Sequence, residues 1–301
     1  MYKVVIWGTG IGYSRYFNEL KYLEQKGEIE IIGVISNDCE ILSSIDGYKF
    51  YKKSQMSELD FDYCIVTILN PETIYDEALR LGISRKKLIP ARVFEIPYFN
   101  FDKYVKLKEE GITIFSNTCW ADFCYNYLGL EFQSPTINMF MYSNDFNKFM
   151  SKIEYYLTKK PQFAKMRNEE ISGCCYPVGK LDDIFLHFNH YSNFEDAFSA
   201  WERRKKRVTK NIAVVSAVVS LDFSEEIVSY FSKLPYETKL LFVDKNFRNR
   251  DKYNEFLYPV NFVKNKEQTL GMYCNGSAHG LNNWIDILSF LTHSKNYRRI
   301  S

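Results

Sequence analysis

The opening third of the chain alternates short apolar runs with amphipathic stretches, and that rhythm constrains the fold more than any other feature. Lys3–Trp7 is an apolar run ending on glycines, Ile29–Ile35 is a second, and Tyr63–Leu69 a third. Between them Tyr16–Leu23 has helical spacing, Glu72–Leu81 makes a helix closed by Gly82, and Lys87–Pro90 begins a fourth strand. Parallel strands need a crossover, so strands alternating with helices predict a parallel sheet covered by helices. A chain of 301 residues suggests two domains. The break is expected near Tyr98, with a nucleotide-binding-type domain over 1–98 and a second domain over 99–301.

Phe101, Tyr104, Val105 and Lys108 recur at helical spacing up to Gly111, and Ile112–Phe115 restarts the chain as a strand. Thr136–Tyr142 reads as a further strand. Phe146, Phe149, Met150, Ile153 and Leu157 form one amphipathic helix behind Ser143 or Asn144. Ile184–Phe188, Ile212–Val219 and Lys239–Val243 are expected strands; Glu195–Val208, Glu225–Leu234 and Trp284–Leu291 continue the rhythm. The expected class is α/β: a Rossmann-like parallel-sheet domain followed by a three-layer α/β domain.

Composition removes several functions. Lys and Arg total 39 against 37 acidic residues, a net charge of +2 that is too balanced for a general nucleic-acid binder. The first ten residues, MYKVVIWGTG, lack the basic, apolar and small-residue sequence of a secretion signal. The longest apolar stretch, Ile212 to Leu221, is half the ~20 residues of a membrane helix. Seven cysteines without a CxxC pair read as reduced thiols, so a cytoplasmic protein is expected.

Gly8-Thr9-Gly10-Ile11-Gly12 follows the first strand directly. Glycines there let backbone N–H groups approach a diphosphate at the next helix's N-terminus. In the dinucleotide fingerprint the third glycine would fall at Tyr13, and Gly12 comes one residue early. Asp38 is the acidic residue available for a ribose hydroxyl. Two readings stand: a site for a nucleotide or nucleotide sugar, or a turn that only packs helix on sheet. Roughly residues 1–95 are similar to the Rossmann-like domains preceding catalytic domains in many bacterial polysaccharide-biosynthesis proteins.

The loop Ser116-Asn117-Thr118-Cys119-Trp120-Ala121-Asp122 lies past the carboxyl end of a predicted strand, where open α/β sheets bind ligands. Cys119 is a nucleophile if a helix N-terminus or cation activates it, and a small buried hydrophobe otherwise. No His is nearby in sequence. Trp120 could stack on a sugar or fill the core, and Ser134, in Ser134-Pro135-Thr136, could line the same crevice.

From Tyr176 to Val208, YPVGKLDDIFLHFNHYSNFEDAFSAWERRKKRV holds the densest polar cluster. Strand alternation puts Asp183, Phe185, His187 and Asn189 on one face. Asp183 and His187 are then roughly 13 Å apart and need a bend to form an acid/base pair. His190 falls in the following turn as a candidate substrate contact. His187-x-x-His190 lacks further ligands at zinc spacing, so no metal is expected. Ser192-x-x-Glu195 predicts a capping box. In the helix after it, Arg204 borders the apolar seam, and Arg203 or Arg204 is suited to neutralising phosphate.

That segment and SNTCWADFCYNYLGLEFQSPTINMFMYSNDFNKFM, from Ser116 to Met150, closely resemble two signatures of the bacterial family called domain of unknown function nineteen-nineteen. This chain has Ala121-Asp122 where the family continues with glycines. The resemblance implies exopolysaccharide biosynthesis and supplies no catalytic residues. The resulting expectation is a transferase modifying a sugar or glycan precursor from a nucleotide-activated donor. Asn117, Cys119, Asp183 and His187 would perform the chemistry, and Asn117, His187 and an arginine would share one cavity. The alternative is a non-catalytic module binding a nucleotide sugar or a partner.

Overall fold

The computed structural model describes residues 1–36, 43–68, 71–168, 173–218, 224–244, 247–253, 255–260 and 285–293. Two compact units emerge, Met1–Glu109 with Tyr127–Leu130, and Glu110–Asn126 with Glu131–Ser301. The chain is of mixed α/β class. Among the described residues no helix is long and apolar enough to cross a membrane.

In the first unit, β1 (Tyr2–Trp7), α1 (Ile11–Gln25), β2 (Ile29–Ile35), β3 (Ser44–Ile45), β4 (Tyr48–Tyr51), β5 (Tyr63–Val66), α2 (Glu72–Arg80), β6 (Leu88–Pro90) and α3 (Phe101–Glu110, whose last residue counts with the second unit) follow one another. The sheet order is β3-β4-β2-β1-β5-β6, parallel except for the β3–β4 hairpin. Val4, Val5 and Ile6 are fully buried, as a strand covered on both faces requires. Strand order reverses at β1, with β2 on one side and β5 on the other, so Gly8–Gly10 emerges at the sheet's switch point.

The three glycines there differ. Gly8 has φ +119°, and a Cβ would come within 2.7 Å of Thr67 Oγ1. A Cβ on Gly12 would sit 1.7 Å from the Thr67 carbonyl oxygen, so α1 packs directly on the end of β5. Gly10 caps α1 with φ −81° and no side-chain bond, and a Cβ on it would meet nothing within 4 Å. Tyr13, at the third glycine's place in the fingerprint, is buried and donates to Asp46 at 3.0 Å. Asp38, the expected ribose partner, lies outside the described residues.

The second unit holds β7 (Thr113–Ser116), α4 (Trp120–Leu128, whose last two residues count with the first unit), α5 (Ser143–Ser151) and α6 (Ile153–Thr158). They are followed by β8 (Gln162–Asn168), β9 (Cys175–Leu181), β10 (Ile184–His187), α7 (Phe194–Lys205) and β11 (Ile212–Ala217). The unit ends with α8 (Glu225–Ser232), β12 (Lys239–Asp244), β13 (Leu257–Val260) and α9 (Ile287–Leu291). A four-stranded parallel sheet runs β13-β12-β11-β7, and a three-stranded antiparallel sheet runs β10-β9-β8. Phe115, Phe146, Phe149, Leu186, Trp201, Val214 and Leu241 belong to one core cluster.

Three local expectations change. Thr136–Tyr142 is not a strand but a series of turns, with Asn138 at φ +63° and only Phe140 bridging to His187. The Ser134 hydroxyl accepts from Thr136 N–H, and the Thr136 hydroxyl accepts from Ser116 N–H, diverting the local backbone from a ladder. The amphipathic helix breaks at Lys152 into α5 and α6. Asn193, rather than Ser192, caps α7 by accepting from Asp196 N–H at 2.8 Å.

Candidate active site

Cys119 stands between the carboxyl end of buried β7 and the first turn of α4. Its neighbours are fixed to the scaffold. The fully buried Asn117 side chain donates to the Ala217 carbonyl at 2.9 Å and accepts from Ala217 N–H at 2.8 Å, prolonging the β7–β11 ladder. Both polar atoms of that amide are thereby bonded to main chain. The Ser116 hydroxyl accepts from Thr118 N–H and the Thr118 hydroxyl from Trp120 N–H, closing the start of α4. Trp120 is 2% exposed, packed against Phe242 and edge-on to Phe290, so its indole fills core and offers no face to a sugar.

The half-buried Cys119 thiol meets a histidine from 71 positions away. His190 Nε2 lies 3.0 Å from Cys119 Sγ. It is carried by a tight turn after β10, in which Asn189 N–H donates to His187 O and Tyr191 N–H to Phe188 O, each at 3.0 Å. Burial pushes the thiol up to about 12, the Asp122 charge adds to this, and the Asn189 amide opposes it. His190 is exposed at the surface, yet its surroundings desolvate the ring and lower its pKa. Both partners are therefore neutral near pH 7. With the ring proton on Nδ1, Nε2 is free to accept the S–H proton.

Asp122 follows Cys119 by three positions on α4 and is 7% exposed. Burial pushes its carboxyl up to about 6, while the Asn138 N–H bond and the Arg204 charge work the other way. Asn138 N–H donates to it at 2.9 Å, and the Asn138 side-chain nitrogen, turned toward the carboxylate, adds a bond at 2.6 Å. Those bonds hold Asn138 in its left-handed conformation. Arg204 is 6% exposed; its Nη1 donates to Ile137 O and to the Tyr191 hydroxyl, both at 2.9 Å, and the guanidinium covers the Phe132 ring. Its Nη1 thus serves two protein acceptors in this arrangement.

The other expected residues are placed elsewhere. Asp183 sits in the β9–β10 hairpin turn, accepting from the Tyr156 hydroxyl at 2.6 Å and Lys148 Nζ at 3.4 Å. His187 is 5% exposed and stacks on Phe140 at 4.5 Å, edge-on to Tyr142. Burial, assisted by Arg167 and Lys165, takes its imidazole down to about 4. Its Nδ1 has no hydrogen-bond partner. Ser134 is fully buried and bonded to Thr136. Arg203 is exposed on α7. Asn117 and His187 attach to neighbouring residues, with Met141 N–H donating to Asn117 O and Phe140 N–H to His187 O, while Cys119 and His190 meet side chain to side chain. No periodicity links those two residues, and Tyr191 and Asn138 carried no signal beyond their types. Among the described residues, no cluster of three or more His, Cys, Asp or Glu could hold a metal.

Residues 91–291 match the family described as Domain of unknown function (DUF1919). The chain belongs to this family. Both Cys119 and His190 fall inside the DUF1919 region. Residues 1–89 match a second family described as C2185-like, N-terminal. This DUF1919 protein is also 29% identical over 142 residues to an uncharacterized protein of Haemophilus influenzae, a match covering 47% of the chain and 66% of the relative. The chain thus spans just under two thirds of the length of that curated relative.

Proposed function

We propose that this protein is a transferase that modifies a polysaccharide precursor, with Cys119 as the thiol carrying the group and His190 as its base. One observation supports the reading above all others, the 3.0 Å approach of His190 Nε2 to Cys119 Sγ beyond a parallel strand's carboxyl end. As sulfur bonds to the donor's electrophilic carbon, the S–H proton passes to His190. The imidazolium then gives that proton to the departing group. In the second half His190 takes the proton of the acceptor hydroxyl, whose oxygen displaces sulfur, and returns it to the departing Cys119 thiolate. The polysaccharide assignment rests on the resemblance of the two signatures. A nucleotide-activated donor is suggested by the first unit, where Gly10 leaves open space at the start of α1. Free thiols at Cys64, Cys119 and Cys124 support a reducing, cytoplasmic setting.

The high pKa of the thiol favours a second reading, a binding module in which the pair is only a polar contact. Intact-mass spectrometry after incubation with nucleotide sugars and activated acyl donors separates the two. A transferase gives an adduct that Cys119→Ser removes. No adduct, with a ligand-induced thermal shift that survives Cys119→Ser, gives the binding module.

A further inference from the structure

We propose that Arg204 and Tyr191 form a brace that sets His190 against Cys119, making Arg204 a positioning residue rather than a substrate contact. The inference rests on the Cys119–His190 reading and adds how the pair is held. His190 is exposed on a turn, where an imidazole would sample several rotamers. The next residue, Tyr191, is anchored on both sides. Its ring packs edge-on against buried Phe188, and its hydroxyl accepts from Arg204 Nη1 at 2.9 Å. The second bond from that nitrogen goes to Ile137 O, beside Asn138, which is bonded to Asp122 on the helix that Cys119 precedes. One buried guanidinium therefore connects the turn carrying His190 to the loop fastened onto α4. Arg204 comes from α7, a third element, and its charge is buried over Phe132. A planar fork can serve two acceptors at once; a lysine ammonium on a flexible stem does so poorly.

The test is the pH–rate profile for iodoacetamide alkylation of Cys119, read peptide by peptide so that exposed Cys174 and Cys175 serve as internal references. Tyr191→Phe removes one hydroxyl and keeps the ring against Phe188, so the fold survives. It is expected to slow Cys119 alkylation at pH 7 about tenfold, the loss of one hydrogen bond to a charged group. Its reference thiols should be unchanged. Arg204→Lys should slow Cys119 at least as much, with a larger fall in Tm. A Tyr191→Phe profile superimposed on wild type would overturn the brace. His190→Ala judges the underlying reading separately: if its profile also matches wild type, the Cys–His pair itself is refuted, whereas a His190 effect without a Tyr191 effect refutes the brace alone.

Discussion

His187 and His190 belong to one sequence signature, three positions apart, and have opposite fates. His187 closes a strand, lies face to face on Phe140, and is kept neutral by burial. His190 comes one turn later, exposed, with Nε2 on a thiol. The first unit repeats the division with glycines. Gly12 is pressed against Thr67, and Gly10 faces open space. In both places the residue inside the regular element is consumed by packing, and the residue just beyond it remains available for chemistry.

The histidine contrast breaks most visibly under alanine substitution. His190→Ala should slow Cys119 alkylation at pH 7 by about 100-fold, the scale of a lost general base. His187→Ala should leave that rate within about twofold and cost about 3 kcal/mol in urea unfolding, the removal of a buried ring. The reverse pattern would exchange their roles.

Acid unfolding sharpens the same contrast. A histidine whose folded pKa is depressed contributes stability above its unfolded value and loses it as pH falls through the folded value. For His187 the window runs from 6.5 down to about 4 and is worth about 3 kcal/mol. His187→Phe should flatten stability across that window. Asp122 has the opposite sign: its folded pKa is raised, so its contribution is complete below 3.8 and disappears as pH rises through about 6.

The glycines give the next contrast. Gly12→Ala places a Cβ into the Thr67 carbonyl and should cost about 2 kcal/mol or more in urea unfolding. Gly10→Val meets no atom and should cost about 1 kcal/mol, mainly through helix capping. It should nevertheless abolish any nucleotide-induced thermal shift. A shift that persists would place the nucleotide elsewhere.

The smallest effect expected is electrostatic. Asp122→Asn removes a like charge that raises the Cys119 thiol, so alkylation at pH 8 should accelerate about threefold. Slower alkylation would mean that the Asn138 loop, rather than the charge, governs the thiol.

Much of the parallel framework was legible because the buried parts of strands such as β1 and β11, Val4–Trp7 and Ala213–Ala217, are near-continuous apolar runs. Of the antiparallel sheet, β10 was legible as Ile184–Phe188 and the other two strands were not. β8 is mostly polar and exposed, and β9 is interrupted by Pro177 and Gly179, so neither alternates cleanly. Individual site residues were legible as types. Cys119 stood out in its loop, but its partner came from the turn after β10, and nothing local selects His190 over His187. Arg204 was legible as a cation on an apolar seam, whereas its two acceptors depend on the loop near Ile137 folding back. The bonds of Asn117 to Ala217 were not legible, because their partner comes from a strand 100 positions away.

The most direct test is an NMR titration of the histidine imidazoles, with Cys119 first free and then alkylated. The chain has four histidines, so assignment by single substitution is feasible. Alkylation should move the His190 resonances and its pKa, while His187 stays neutral down to about pH 4 in both forms. A His190 titration indifferent to Cys119, or a His187 titration that follows it, would contradict the pairing.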